Sequence, residues 1–232
     1  MNNVAFLIPA LNESDYILKT IKSIRASYPL AQIIVADAGS TDRTQQMCQQ
    51  ENVLVVKGGS PAVGRNNAAR FAKAEFFVFL DADTIIPSGF LERILPDFEA
   101  NRYVAACFPI QPLKDMGQRH LAFQLFNGYS KLVFGLGSLS VISGCCMLVK
   151  GEAHGNIGGF DEKLCVLEEI DYFKRMRAAG QVNRYDIHVS TSTRRHKKYS
   201  KCLALVAYYI LHVCGVRLEG DFLNYWNRNS KP

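Results

Sequence analysis

The chain reads as a single α/β domain: a mostly parallel central sheet flanked by helices. Three observations carry that expectation. Short apolar runs at 4–8, 32–36, 53–56 and 76–80 alternate with helix-period segments. The runs are apolar on both faces, as strands covered by helices on each side must be. The chain has 232 residues, 48% of them hydrophobic and 21% charged, enough for one full core.

Taken in order, Val4-Ala5-Phe6-Leu7-Ile8 is the first strand, and Ser14 is placed to cap a helix carrying Ile17, Ile21 and Ile24. The run 32–36 is the second strand, Thr41 is placed to open the next helix, and 53–56 is the third strand. A helix over about 63–73 precedes the fourth strand, Phe76-Phe77-Val78-Phe79-Leu80. Beyond Pro87 the pattern loosens into a helix at 88–99, strands at 103–108 and 141–149, a long helical stretch at about 116–134, and a strand-like segment at 185–189. Residues 1–200 are expected to form the domain. Residues 201–232 are expected to form an apolar helix and tail packed on the domain, on a partner or homodimer mate, or on a membrane surface.

Composition excludes several classes. Lys and Arg number 27 against 21 Asp and Glu, a net charge of +6 that suits anionic substrates or acidic membrane surfaces but is too mild and dispersed for nucleic acid. The 7 cysteines are odd in number and include adjacent Cys145-Cys146 with no C-x-x-C spacing, pointing to a reducing cytoplasm rather than a disulfide framework or structural zinc. No basic leader stands before Val4, and no segment reaches the ~20 apolar residues that span a bilayer.

Ligands of parallel sheets bind beyond the carboxyl ends of the strands, which selects the loops 9–13, 37–42 and 81–84. Asp81-Ala82-Asp83 follows directly on a buried-strand pattern, so two carboxylates emerge together; hard oxygens of this kind suit Mg²⁺ or Mn²⁺ that also holds phosphate. A solvated strand end capping the next helix is the other reading. Gly39 and Thr41 fit a turn and a helix start, whereas neither job requires Asp37. Glu168-Glu169-Ile170-Asp171 opens an amphipathic helix, where acids either complement the helix dipole or serve chemistry. The stretch Arg194-Arg195-His196-Lys197-Lys198 is a solvated loop or a phosphate-holding one, and Cys145 and Cys146 read as small core residues.

The strings IPALNE, IIVADAGSTD, GRNNAARFAKAEFFVFLDADT and GGFDEKLCVLEEIDYFKRMRAAG, in this order over about residues 4–196, resemble the family 2 glycosyltransferases of the GT-A fold. That resemblance implies a nucleotide-diphospho-sugar donor of UDP or GDP type, a Mn²⁺ or Mg²⁺ ion, and inverting transfer to an acceptor hydroxyl, on a glycan or a lipid carrier. It assigns Pro9, Ala10, Glu13, Asp37, Arg65, Asp81 and Ala82 to the nucleotide sugar, with Arg194 or Arg195 on the diphosphate. It assigns Asp81, Asp83 and His196 to the metal, Ser143, Gly144 and Glu168 to the acceptor, and Glu169 to the role of general base. Glu169 stands where the family usually has aspartate and Ala36 where it often has an acid, so a non-catalytic nucleotide-sugar-binding protein on the same fold is the alternative. A nucleotidyltransferase is a further one, without the Gly-rich basic loop it needs after the first strand. The implied location is the cytoplasm, or its membrane face.

Overall fold

The computed structural model describes residues 3–113, 120–139, 142–164 and 166–192. Strands β1 (Val4–Ala10), β2 (Gln32–Asp37), β3 (Leu54–Lys57) and β4 (Phe76–Leu80) alternate with helices α1 (Ile17–Ser27), α2 (Thr44–Gln50) and α3 (Pro61–Phe71). After β5 (Thr84–Ile85) come α4 (Leu95–Ala100), β6 (Ala105–Cys107), β7 (Ile110–Pro112) and α5 (His120–Gly135). The described chain closes with β8 (Cys146–Lys150), α6 (Gly151–Asn156), α7 (Glu168–Ala179), β9 (Val182–Arg184) and β10 (Val189–Thr191).

Seven strands form one sheet in the order β3-β2-β1-β4-β8-β6-β9. Pairing is parallel except at β8, which runs antiparallel to both neighbours and sets Cys146 opposite Leu80. Side chains alternate across each strand. Phe6 and Ile8 therefore enter one core with Ile17, Ile21 and Ile24 of α1. Ala5 and Leu7 enter the other, with Ala62 and Ala68 of α3 and Tyr172, Phe173 and Met176 of α7. This double burial is why the strand sequences are apolar throughout.

The mostly parallel α/β sheet follows the sequence expectation, while several boundaries do not. Ser14 is not a cap: α1 starts at Ile17, and the Ser14 N–H donates to Asp42 Oδ2 at 3.0 Å. Thr41 does not open α2, because its N–H is drawn to Asn12 Oδ1 at 2.8 Å while Asp42 takes the Thr44 N–H at 2.9 Å. Ser60 does cap α3, accepting from the Val63 N–H at 3.4 Å. Only Leu95–Ala100 of the expected 88–99 helix is helical, since Pro96, which has no N–H, fits the first turn of a helix and not its interior. The 103–108 strand is confined to Ala105–Cys107, and the 141–149 strand begins at Cys146. Residues 185–189 form no ladder over their length; Tyr185 and Ile187 lean on the core instead. Residues 193–232, including Arg194, Arg195, His196 and the apolar run 202–211, lie outside the described residues.

A second, three-stranded sheet, β5-β10-β7, sits beside the carboxyl end of β4 and joins residues more than a hundred positions apart. Among the described residues no helix is long and apolar enough to cross a membrane.

Candidate active site

The first two loops at the sheet edge are stitched together by polar groups. Asn12, in the left-handed region at φ 54°, accepts the Thr41 N–H, and its own N–H donates to Ser40 Oγ at 2.8 Å. The Glu13 N–H donates to Thr44 Oγ1 at 2.8 Å, and the Glu13 side chain is buried beneath the loop. Pro9 is half-buried against Gly64 of α3, and Ala10 is buried in the ladder opposite Asp37.

Asp37 has a structural job that sequence reasoning did not find. Its Oδ1 accepts from the N–H groups of Gly39 and Ser40 at 2.9 and 2.8 Å and from Gln45 Nε2 at 2.6 Å, while Oδ2 accepts from Ser40 Oγ at 2.5 Å. These bonds wrap the turn around the carboxylate and shape one wall of a cavity of about 430 Å³ lined by Asp37, Gly39, Gln45, Lys57 and Gly58, among others. Gly58 is required there: a Cβ would lie 2.6 Å from the Ala36 carbonyl oxygen. Gln45, Lys57 and Gly58 carry no motif: α2 brings Gln45 to Asp37, and the approach of β3 to β2 brings Lys57 and Gly58 to the cavity.

Arg65 of α3 lies at the centre of the edge. Its guanidinium donates to Glu168 Oε1 at 2.6 Å, to Asp81 Oδ1 at 3.1 Å and to the Gly144 carbonyl at 3.3 Å, and its Cζ lies 5.4 Å from the Phe160 ring centroid. At 3% exposure it is buried, and so is Glu168. One cation thus ties the ends of β4 and α7 to the turn that leads into β8. In that turn Ser143 Oγ accepts from the Cys145 N–H at 3.3 Å. Cys146 is buried in the core, as expected, whereas Cys145 is only half-buried; both thiols are raised, first by burial, which does not suit nucleophiles.

The Asp-Ala-Asp element divides its tasks. Ala82 points into the core, and its carbonyl accepts from the buried Thr20 Oγ1 at 2.8 Å. Asp81 turns to Arg65 and remains partly open, with Oδ2 accepting no hydrogen bond among the described residues. Asp83 is buried and turns toward β10, where Thr191 Oγ1 donates at 3.4 Å and Ser192 Oγ also donates. The two carboxylates therefore face different partners. Among the described residues no third His, Cys, Asp or Glu joins them in a ready metal cluster. No signal in the sequence links Ser192 to Asp83.

Leu167, which precedes α7, sits in the left-handed region at φ 57°, a conformation that costs a residue with a Cβ on the order of 1–2 kcal/mol. It turns the chain so that Glu168 enters the Arg65 pair while Glu169 packs on Gly144, where a Cβ would lie 3.3 Å from Glu169 Cδ. Burial, and then the neighbouring Glu168 carboxylate, push the Glu169 carboxyl up to about 8. A carboxyl held near neutrality at a ligand edge is suited to proton transfer.

This architecture is the GT-A fold. The chain superposes on the mannosyltransferase PcManGT from Pyrobaculum calidifontis, solved in complex with GDP-Man and Mn²⁺, with a TM-score of 0.69 at 16% identity, covering 94% of this chain and 66% of that one. It also superposes on glucosyl-3-phosphoglycerate synthase from Mycobacterium tuberculosis, solved in complex with Mn²⁺ and UDP-Glc, with a TM-score of 0.64 at 19% identity, covering 94% of this chain and 81% of that one. The model of Glycosyl transferase family 2 matches residues 5–158, and the chain belongs to that family. It is 30% identical over 190 residues to the succinoglycan biosynthesis protein ExoA of Rhizobium meliloti (strain 1021), covering 75% of this chain and 58% of ExoA. The chain thus spans little more than half the length of that relative.

Proposed function

We propose that this chain transfers a sugar from a nucleoside-diphosphate donor of UDP or GDP type to an acceptor hydroxyl with inversion, Glu169 acting as general base. The observation that carries the reading is the convergence on Arg65 of Asp81, Glu168 and the Gly144 turn, which seats Glu169 at the same sheet edge as the Asp37 cavity. The donors held by PcManGT and by glucosyl-3-phosphoglycerate synthase support the donor class.

In this reading the cavity lined by Gly39, Gln45, Lys57 and Gly58 takes the base of the nucleotide. The acceptor oxygen attacks the anomeric carbon as its proton passes to the Glu169 carboxylate, and the sugar–phosphate C–O bond breaks with its electron pair leaving on the diphosphate. Arg65 holds the helix that presents Glu169. The donor set fits Mn²⁺ or Mg²⁺: Asp81 offers a hard oxygen that accepts no hydrogen bond among the described residues, and among the same residues the Asp83 carboxylate is bonded only to neutral hydroxyls, which a cation can displace. When bound, such an ion supplies charge neutralisation of the departing diphosphate. Arg194 and Arg195 are assigned to the diphosphate and His196 to the ion by family resemblance alone.

The test is calorimetry and donor turnover with UDP- and GDP-sugars, with and without Mn²⁺. The expected result is metal-dependent binding of one donor class, turnover lost in Asp83→Ala and strongly reduced in Glu169→Gln. Full turnover in either variant overturns the assignment, and tight donor binding with no turnover across an acceptor panel favours a binding protein on the same fold.

A further inference from the structure

Asn66 follows Arg65 on α3 and is buried beside it. Its amide closes on both backbone groups of Phe160, 94 positions away: Oδ1 accepts the Phe160 N–H at 2.8 Å, and Nδ2 donates to the Phe160 carbonyl at 2.9 Å. Nδ2 also donates to Glu162 Oε1 at 2.9 Å. An amide suits this task because it carries an acceptor and a donor side by side. The turn it grips is shaped to admit it. Gly158 and Gly159 lie at φ 77° and 74°, and a Cβ on Gly159 would stand 2.5 Å from Asn66 Oδ1.

What this turn carries is the Phe160 ring. It stacks on Tyr172 of α7 with 3.8 Å between centroids and 9° between planes, and it meets Phe79 of β4 edge-on at 5.1 Å. Tyr172 is itself fixed, its hydroxyl 2.8 Å from His154 Nδ1. From the α7 side, Arg175 donates to the carbonyls of Ile157 and Gly159 at 3.0 and 2.6 Å, so the turn ties α3 to α7. The Arg65 ion pair holds α7 at Glu168 alone, and a helix held at one point can still roll. Tyr172, four residues on, lies on the same face. Holding it as well stops the roll. Glu169 stands about 100° round the helix from Glu168, so a roll would carry its carboxylate away from the ligand edge.

We propose that Asn66 is a positioning residue for sugar transfer: by fixing Phe160 against Tyr172 it sets the roll of α7 and with it the place of the Glu169 carboxylate. This rests on the reading of Glu169 as general base. A base displaced by about 1 Å can lose on the order of 10²-fold in rate. The cavity assigned to the nucleotide is lined by none of Asn66, Phe160 and Tyr172, so donor binding should not move.

A double-mutant cycle on the full chain, read as turnover of the UDP- or GDP-sugar that the natural chain uses, tests this. The expected result is that Asn66→Ala lowers kcat roughly 10- to 100-fold with donor KM unchanged, and less than about twofold further when combined with Glu169→Gln. Phe160→Leu leaves both backbone bonds of Asn66 in place and removes the stacked ring. It should show the same pattern, and it carries the test if thermal unfolding shows that Asn66→Ala does not fold. An equal loss with and without Glu169→Gln, a rise in donor KM at unchanged kcat, or full kcat in Phe160→Leu overturns the proposal and leaves the base reading intact. Full turnover in Glu169→Gln, or none in the natural chain, overturns the base reading and the proposal with it.

Discussion

The two halves of the sheet are built by different means. In residues 4–80 the strands β1, β2 and β4 are 7, 6 and 5 residues long and almost wholly buried, and all their parallel pairings lie within this first segment. In residues 105–192 the sheet strands β6 and β9 are 3 residues each and only β8, with 5, is longer; apolar packing through Met147, Phe160, Tyr172 and Phe173 is joined here by polar contacts across great sequence distance: Arg65 to Glu168, 103 positions apart, and Asp83 to Ser192, 109 apart. The first half is a scaffold made by hydrophobic patterning. The second adds to its apolar core charged and hydroxyl groups that also lie at the candidate site, so damage there should cost stability and chemistry together.

Removing the central cation should break the second half most severely. Arg65→Met leaves Glu168 as a buried carboxylate without its counter-charge, and the expected loss is about 3–5 kcal/mol in urea unfolding. A loss below about 1 kcal/mol would mean that the pair is solvated and the contrast between the halves wrong.

Next in size is Glu169→Gln. It keeps the packing on Gly144 and removes the proton acceptor, so turnover should fall on the order of 10³-fold while nucleotide affinity holds. A parallel loss of affinity would show that Glu169 binds rather than catalyses.

The pH dependence of stability separates the same residue from the aromatic core behind it. Glu169 titrates at about 8 when folded and near 4.5 when unfolded, so between those values the folded chain keeps a proton that the unfolded chain releases, and stability falls as pH rises. His154 has the opposite sign. Buried among Phe77, Phe79 and Phe160 with Nδ1 2.8 Å from the Tyr172 hydroxyl, it is held down to about 4 by burial and then by Arg175, so its contribution is present above 6.5 and lost as pH falls toward 4. The two slopes oppose each other between 4.5 and 6.5, leaving a net loss of stability from 6.5 to 8. Glu169→Gln should flatten that upper limb and His154→Phe the lower one in denaturation midpoints measured across pH; an unchanged upper limb in Glu169→Gln would place the titrating group elsewhere.

The smallest effect belongs to the scaffold. Ser60→Ala removes the α3 cap and should cost about 1 kcal/mol, with turnover unchanged. A turnover loss beyond the change in folded fraction would show that α3 transmits strain to Arg65.

The predicted fourth strand, Phe76–Leu80, matches the observed one, and Ile17, Ile21 and Ile24 lie buried as their spacing requires, because burial on two faces writes itself into local sequence. Ser14 and Thr41 do not cap because each is tied across the two loops instead, the Ser14 N–H to Asp42 and the Thr41 N–H to Asn12. Those cross-loop bonds exist only once β1 and β2 are paired.

Hydrophobic period and loop position were sufficient to identify the parallel sheet, its ligand edge and the acids that emerge there, since both are properties of neighbouring residues. Only the tertiary structure decided which acid does what. Glu168 and Glu169 are adjacent and alike in sequence, yet one is neutralised by a guanidinium from residue 65 and the other is shifted upward by burial and by its neighbour's charge, because electrostatic environment depends on distance in space and not along the chain.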